Sequence, residues 1–184
     1  MSTEFAGKKS FITPECVLII GTYDENGVPN AMNAAWGMQS DMGEITIMLS
    51  KHKTTDNFEK TGAFTVAFAT ADTVVISDYF GVESGKNVNK IEKAGCHTHR
   101  GAHVNAPVIE EYPLTLECRV RSWDPETGYL IGEIVSSSAD DSILTDGKVD
   151  LGKLRPICFD PFFNVYRVIG EAVGNAFSDG RKLK

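Results

Sequence analysis

Ile45-Thr-Ile-Met-Leu-Ser-Lys-His-Lys-Thr-Thr-Asp-Asn57 changes character in mid-course. Ile45, Ile47 and Leu49 alternate with other residues, the period of a half-buried strand. Ser50 to Lys53 is polar and reads as a short loop. Thr54 to Lys60 suits a short helix capped by Thr54 or Thr55. A strand that passes almost directly into a helix start gathers Ser50, Lys53, Thr54 and Thr55 at a place where unpaired backbone N–H groups and the helix dipole already favour an anion. The pattern therefore fits a phosphate cradle. It fits a solvated, well-capped helix start equally, because Asp56 can answer the dipole without a ligand.

Working outward, the neighbouring segments predict further strands. Cys16 to Tyr23 is a Val/Leu/Ile-rich run. Asp24-Glu-Asn-Gly27 is a hairpin turn in which Asn-Gly supplies positive φ angles, and Val28 to Ala35 returns. Asp41-Met-Gly43 turns into the Glu44–Leu49 strand. Gly62 stops the helix before a strand over Ala63–Ala69. Asp72 is read as the cap of a helix to about Tyr79, and Asn87–Ala94 as another short helix. Cys96 to Pro107 is read as irregular. Leu114–Trp123 and Tyr129–Ser137 form a hairpin around Asp124-Pro-Glu-Thr-Gly128. Leu154–Phe159 and Asn164–Val168 follow as short strands, with a Gly-containing tail from about Gly170. The expectation is one domain over residues 1–184, mainly β with short helices: an antiparallel β-barrel with helical insertions. Gly-x-Gly-x-x-Gly is absent, which argues against the common dinucleotide fold.

The chain has 184 residues, 42% of them hydrophobic, and a formal net charge of −7. That balance argues against a nucleic-acid partner, which needs a basic face. No apolar run reaches the length of a membrane span. Met1 to Lys9 has no apolar signal core. The four cysteines, Cys16, Cys96, Cys118 and Cys158, contain no Cys-x-x-Cys pair. A cytoplasmic protein with reduced structural thiols is expected.

Several residues carry two readings each. His97-Thr-His-Arg-Gly-Ala-His103 invites a metal, but lacks the spacing of a zinc helix and sits in an irregular stretch, so it is read as a loop and no metal ligand is assigned. Ser84-Gly-Lys86 is a basic turn in which Lys86 is either a surface residue or a phosphate or ribityl contact. Tyr166 lies on an apolar run and is either core or cofactor contact.

Taken in order, Ile19-Ile-Gly-Thr-Tyr-Asp-Glu-Asn-Gly-Val-Pro-Asn-Ala-Met-Asn-Ala-Ala-Trp36, Ile47-Met-Leu-Ser-Lys-His-Lys-Thr-Thr-Asp-Asn57, Gly62-Ala-Phe-Thr-Val-Ala-Phe68, Leu130-Ile-Gly-Glu-Ile-Val135, Ile143-Leu-Thr-Asp-Gly-Lys-Val-Asp-Leu151 and Tyr166-Arg-Val-Ile-Gly-Glu-Ala-Val-Gly174 resemble the flavin reductase-like proteins, and among them the flavoredoxin branch. The resemblance implies a six-stranded antiparallel FMN-binding split β-barrel that works as a homodimer. It places the flavin ring along Asn33, Ala34, Ala35 and Trp36, and the FMN phosphate at Ser50, Lys53, Thr54 and Thr55. Asn-Ala-Ala-Trp stands where reductases that supply flavin to monooxygenases carry Gly-Thr-x-x-Ser, so NAD(P)H use does not follow from the resemblance. The residues themselves suit the ring: small Ala34 and Ala35 admit a plane to the backbone, the Asn33 amide both donates and accepts, and Trp36 offers a wall. An ordinary strand end with a core tryptophan suits them too.

The leading expectation is an FMN-dependent oxidoreductase resembling NAD(P)H:flavin oxidoreductases, with the hydride or electron chemistry carried by FMN and no catalytic side chain assigned. NAD(P)H or a redox protein is the expected donor. The alternatives are a non-catalytic FMN electron carrier, for which the acidic charge suits a basic partner, and a split barrel holding another planar cofactor, haem or pyridoxal phosphate.

Overall fold

The chain between Ala34 and Gly37 links the two edges of one sheet. Seven strands, β1 (Leu18–Tyr23), β2 (Pro29–Ala34), β3 (Gly37–Asp41), β4 (Glu44–Met48), β5 (Ala63–Phe68), β6 (Leu114–Asp124) and β7 (Tyr129–Ala139), pair in the order β2-β1-β5-β6-β7-β4-β3, antiparallel throughout. The sheet curls into a half-barrel of the split-barrel type. These relationships come from a computed structural model that describes residues 12–184. Met1 to Lys9, where the sequence shows no signal core, lies outside the described residues.

The mainly β barrel with short helices expected from the sequence is present, with one strand added to the six. β3, Gly-Met-Gln-Ser-Asp, has no apolar alternation, and four of its five residues are exposed. It exists by pairing with β4, Gly37 opposite Ile47, Met38 opposite Thr46 and Gln39 opposite Ile45.

β1 is apolar almost continuously because both of its faces are covered, the pattern of a doubly buried strand. Leu18 and Ile20 point into the half-barrel with Ile45, Ile47, Phe64 and Val66. Ile19 points outward, into a second core built with Ala67, Phe80, Ile91 and Ile109. Inside, β5 and β7 approach closely: a Cβ on Gly132 would stand 2.4 Å from the Phe64 ring. Only a glycine leaves that ring its space.

Helix α1 (Lys53–Thr61) closes one end of the half-barrel by burying Phe58, whose ring meets Trp123 edge-on at 5.3 Å. His52 is its N-cap, so neither Thr54 nor Thr55 is. Thr55 instead reaches back from the first turn, accepting from the His52 N–H at 3.0 Å. α2 (Val74–Val82) and the single turn α3 (Lys90–Lys93) cover the outer face of β1 and β2. Ahead of α2, a turn over Ala71–Thr73 is held by Thr73, whose hydroxyl accepts from the Thr70 N–H at 2.9 Å; Asp72 is not the cap. α3 is shorter than the Asn87–Ala94 pattern predicts, because Asn89 caps it and Gly95 follows at positive φ.

Two further differences have local causes. In the Asp24–Gly27 turn only Gly27 takes positive φ, and the Asp24 carboxylate accepts from the Asn26 and Val28 N–H groups, so the side chain does work expected of Asn-Gly. Within the stretch expected to be irregular, Thr98–Arg100 pairs with Pro107–Ile109. Past the half-barrel, β8 (Ile157–Asp160) lies between Glu15–Cys16 and β9 (Val165–Val168) in a three-stranded sheet. Among the described residues no helix is long and apolar enough to cross a membrane.

Candidate functional site

Two clefts meet on the surface formed by β2, the start of α1 and the end of α2. The first, about 200 Å³, is lined by Asn30, Lys53, Thr54, the Gly81–Gly85 segment and Lys90. The second, also about 200 Å³, is lined by Asn33, Ala34, Ala35, Trp36, Met48, Leu49, Ser50 and Phe159. Met32, Asn33 and His52 line both, so the clefts are two halves of one groove. Either half alone is smaller than the roughly 300–1,000 Å³ typical of a small-molecule site; a ligand of cofactor size has to span both.

The first half is cationic and hydroxylic. The Thr54 hydroxyl accepts from the Asn30 amide at 2.8 Å and keeps its own hydrogen for a second partner. Asn30 in turn is crowded by Gly85, where a Cβ would stand 2.0 Å from its Oδ1, so the loop after α2 is drawn tight against β2. Lys53 reaches Asp24 at 3.5 Å. Lys90 is the decisive group. It is only 4% exposed, its ammonium donates to the Phe80 carbonyl at 2.8 Å, and it forms no ion pair among the described residues. Burial pushes its pKa down to about 8, with the nearby Glu83 charge opposing the shift. A buried lysine without a carboxylate partner is costly unless something anionic joins it.

The second half is the more apolar, with the small side chains of Ala34 and Ala35 on its wall. Trp36 is half exposed and lies beside the Glu15 carboxylate. Asn33 is held from behind: its amide donates to the Ser77 carbonyl at 2.9 Å, and the nearby Tyr166 hydroxyl donates to Asp78 at 2.8 Å. Burial and the Asp78 charge push the Tyr166 pKa up to about 12, so the phenol stays protonated as a donor. With one amide hydrogen held by Ser77, Asn33 still offers its carbonyl oxygen as an acceptor.

The residues singled out in the sequence are therefore distributed unevenly. Asn33, Ala34, Ala35, Trp36 and Ser50 line the apolar half, and Lys53 and Thr54 the cationic half. Ser50 and Lys53 thus line different halves of the same groove. Thr55 lines neither half; its hydroxyl is spent on His52. Lys86 stands at the rim, paired with Asp56 at 3.6 Å. Tyr166 lies beside Asn33 and packs on Phe159 at 6.2 Å between ring centroids, one layer behind the groove. Lys90, His52, Asn30, Met48, Leu49 and Phe159 line the groove although the sequence did not single them out. Lys90 follows a good N-cap, Asn89, and sits between Val88 and Ile91, a weak sign that its stem enters a core.

The histidine loop lies apart from this groove. His97 pairs with Glu111 at 2.9 Å and His99 with Glu110 at 3.3 Å, while the His103 backbone N–H donates to Glu117. Among the described residues no group of three or more His, Cys, Asp or Glu side chains is placed to hold a metal ion.

A family model described as the flavin reductase like domain matches residues 11–151. No curated protein matches the chain. Among solved structures it is similar to the flavoredoxin of Desulfovibrio vulgaris (Miyazaki F), with 32% identity, 97% of this chain and 100% of that chain covered, and a TM-score of 0.93. It is similar also to the flavoredoxin from Methanosarcina acetivorans, with 28% identity, 100% of each chain covered, and a TM-score of 0.90. An FMN-binding domain of a flavin reductases-like enzyme from Shewanella baltica OS155, 20% identical over 88% of this chain and 89% of that one, shares the fold at a TM-score of 0.78.

Proposed function

The chain belongs to the flavin reductase-like family, in its flavoredoxin branch, and from that premise we propose that it is a redox flavoprotein holding FMN along the Asn30–Trp36 groove. The observation that carries the reading is the division of one groove into a cationic half, with the unpaired ammonium of Lys90, and an apolar half lined by Ala34, Ala35 and Trp36. FMN has the same division, a dianionic phosphate at one end and a planar apolar ring at the other.

Bound FMN supplies the hydride or electron chemistry. Lys90 and Lys53 neutralise the phosphate, and Thr54 donates to it through a charge-assisted hydrogen bond. Lys86, on the rim, adds a longer-range attraction. The Asn33 carbonyl accepts from an N–H of the ring edge, fixed in place by Ser77. Met48, Leu49 and Phe159 exclude water from the ring. Ser50 is assigned to the ring end, and Thr55 to holding the helix start.

A homodimer in the cytoplasm completes the reading. Its support is the number of large apolar side chains left open: Trp36, Met38, Phe163 and Phe177 are 51%, 64%, 73% and 97% exposed. The donor is NAD(P)H or a reduced redox protein.

The test is the absorption spectrum of the freshly purified protein, identification of the released chromophore by mass, and stopped-flow bleaching. Flavin bands, FMN, and bleaching by NADH or NADPH support a turnover enzyme. Flavin bands with bleaching only by a reduced redox protein leave a carrier. A Soret band, or a colourless protein that does not quench FMN fluorescence on titration, sinks the flavin reading. A monomeric mass with FMN bound would remove the dimer.

A further inference from the structure

Cys16 and Cys158 stand directly opposite each other across two antiparallel strands, Glu15 facing Phe159 in the adjoining pair. The next residue along, Val17, donates its N–H to the Ile157 carbonyl at 3.0 Å. Ladder pairs alternate, so the cysteine pair occupies a non-hydrogen-bonded position, where opposing Cα atoms approach to about 4.5 Å. That separation falls within the roughly 4.4–6.8 Å that a disulfide spans. Both thiols are free, and Cys16 acts electrostatically on Cys158. Cys16 is half-buried. Cys158 is buried but contributes to a cleft of about 230 Å³ shared with Thr13, Pro14, Phe159, Phe162 and Arg167.

We propose that Cys16 and Cys158 form a reversible dithiol–disulfide couple, oxidised by low-molecular-weight disulfides and reduced by thiols. The Cys16 thiolate attacks one sulfur of the external disulfide, whose S–S bond breaks and releases one thiolate. The Cys158 sulfur, giving its proton to that departing thiolate, then attacks the Cys16 sulfur. The mixed disulfide breaks and the second external thiolate leaves, taking up the proton lost by Cys16. Two protein thiols are oxidised and one external disulfide is reduced to two thiols.

Cys16 is the attacking group on two grounds. It is the more exposed of the pair. Burial, and then the neighbouring Cys16, push the Cys158 thiol up to about 12, which disfavours Cys158 as the attacking thiolate. The other two cysteines have no such partner: Cys118 is buried in the half-barrel, and Cys96 lies beside Glu111. The bond would join β8 to the strand that precedes β1. Phe159 follows Cys158 and lines the apolar half of the groove, and Glu15 precedes Cys16 and lies beside Trp36. The redox state of the pair is thereby placed one residue from the groove wall on each strand.

The test treats the full, folded chain with oxidised glutathione, quenches in acid, alkylates and maps peptides without reduction. The expected result is one cross-linked peptide pair containing Cys16 and Cys158, lighter by two hydrogens than the reduced peptides, reversed by dithiothreitol, and absent in Cys16→Ala. A native protein that gives only single-site glutathione adducts, a different cross-link, or no cross-link overturns the proposal. The native-chain map decides alone if Cys16→Ala does not fold. No bound cofactor is needed, so this result stands apart from the flavin reading.

Discussion

The Lys90 ammonium donates to the Phe80 carbonyl at 2.8 Å, and that carbonyl is its only hydrogen-bond acceptor among the described residues. The bond fixes the charge at the wall of the groove without neutralising it. The ligand-free fold therefore carries an electrostatic burden that an anion relieves. Lys90→Met should weaken FMN binding by about tenfold or more, on the order of 1.5 kcal/mol for one charge-assisted bond. The melting temperature of the ligand-free protein should not fall. Fluorescence titration and thermal unfolding of the same variant check both halves.

The same residue sets a pH dependence. Its pKa in the folded chain is about 8, against an ordinary value of 10.5. Between those values the unfolded chain holds more protons than the folded one, so this group's contribution to ligand-free stability is unfavourable below pH 8 and improves as pH rises toward 10.5. FMN affinity runs the other way, because the phosphate needs the ammonium. It should be flat below about pH 8 and fall above it, and the fall should vanish in Lys90→Met. Affinity measured from neutral to alkaline pH in both proteins gives the answer; an unchanged slope in the variant would assign the effect elsewhere.

Lys53 and Thr55 should separate cleanly. Thr55→Ala removes the bonds to His52 and should lower stability by about 1 kcal/mol, with little effect on FMN affinity once folded protein is counted. Lys53→Ala should do the reverse. Urea unfolding and FMN titration of each single variant are sufficient, and a Thr55→Ala protein of normal stability with lost affinity would return that hydroxyl to the phosphate.

Tyr166→Phe deletes the hydrogen bond to Asp78 beside Asn33 while keeping the ring against Phe159. It should change FMN affinity by about threefold to tenfold, the worth of one net hydrogen bond. It should also shift the visible flavin bands, since it alters the polar surroundings of the Asn33 amide. Unaltered spectrum and affinity would leave Tyr166 a packing residue only.

Gly132→Ala places a Cβ against the buried Phe64 ring at 2.4 Å. A loss of about 1–3 kcal/mol is expected from the overpacking. Phe64→Leu in the same chain should recover part of it, which equilibrium unfolding of the single and double variants can show.

Much of this fold is legible in the sequence because local and tertiary demands agree there. The Leu18–Tyr23 part of the Cys16–Tyr23 run, the Asp24–Gly27 turn and the alternation of Ile45, Ile47 and Leu49 each specify their element by composition, whereas Cys16, expected in the same strand, pairs instead in the three-stranded sheet. β3 is not legible, since Gly37–Asp41 is a strand only by virtue of the partner β4 supplies. At the site, Asn33 to Trp36 and Lys53 to Thr54 were accessible to reasoning from residue type. The roles of the two threonines were not: Thr54 faces the groove and Thr55 turns back to His52, a difference set by one step of helix rotation. Lys90 was hidden for another reason. Burial of its charge is produced by packing of α2 and α3 against β2, segments distant in sequence, and no local pattern records it.

β2 and β3 are neighbours in the chain yet lie at opposite edges of the sheet, with only Ala35 and Trp36 between them. A span of so few residues cannot exceed about 11 Å even when fully extended. The peptide chain itself is thus a clasp across the seam of the half-barrel, and the same two residues that fasten it line the groove. The mouth cannot gape by uncurling the sheet, so a ligand meets walls already set at their working distance. Little ordering remains to be done on capture. Association should accordingly show a single bimolecular phase whose rate climbs linearly with ligand concentration, without the plateau that a rate-limiting opening step imposes.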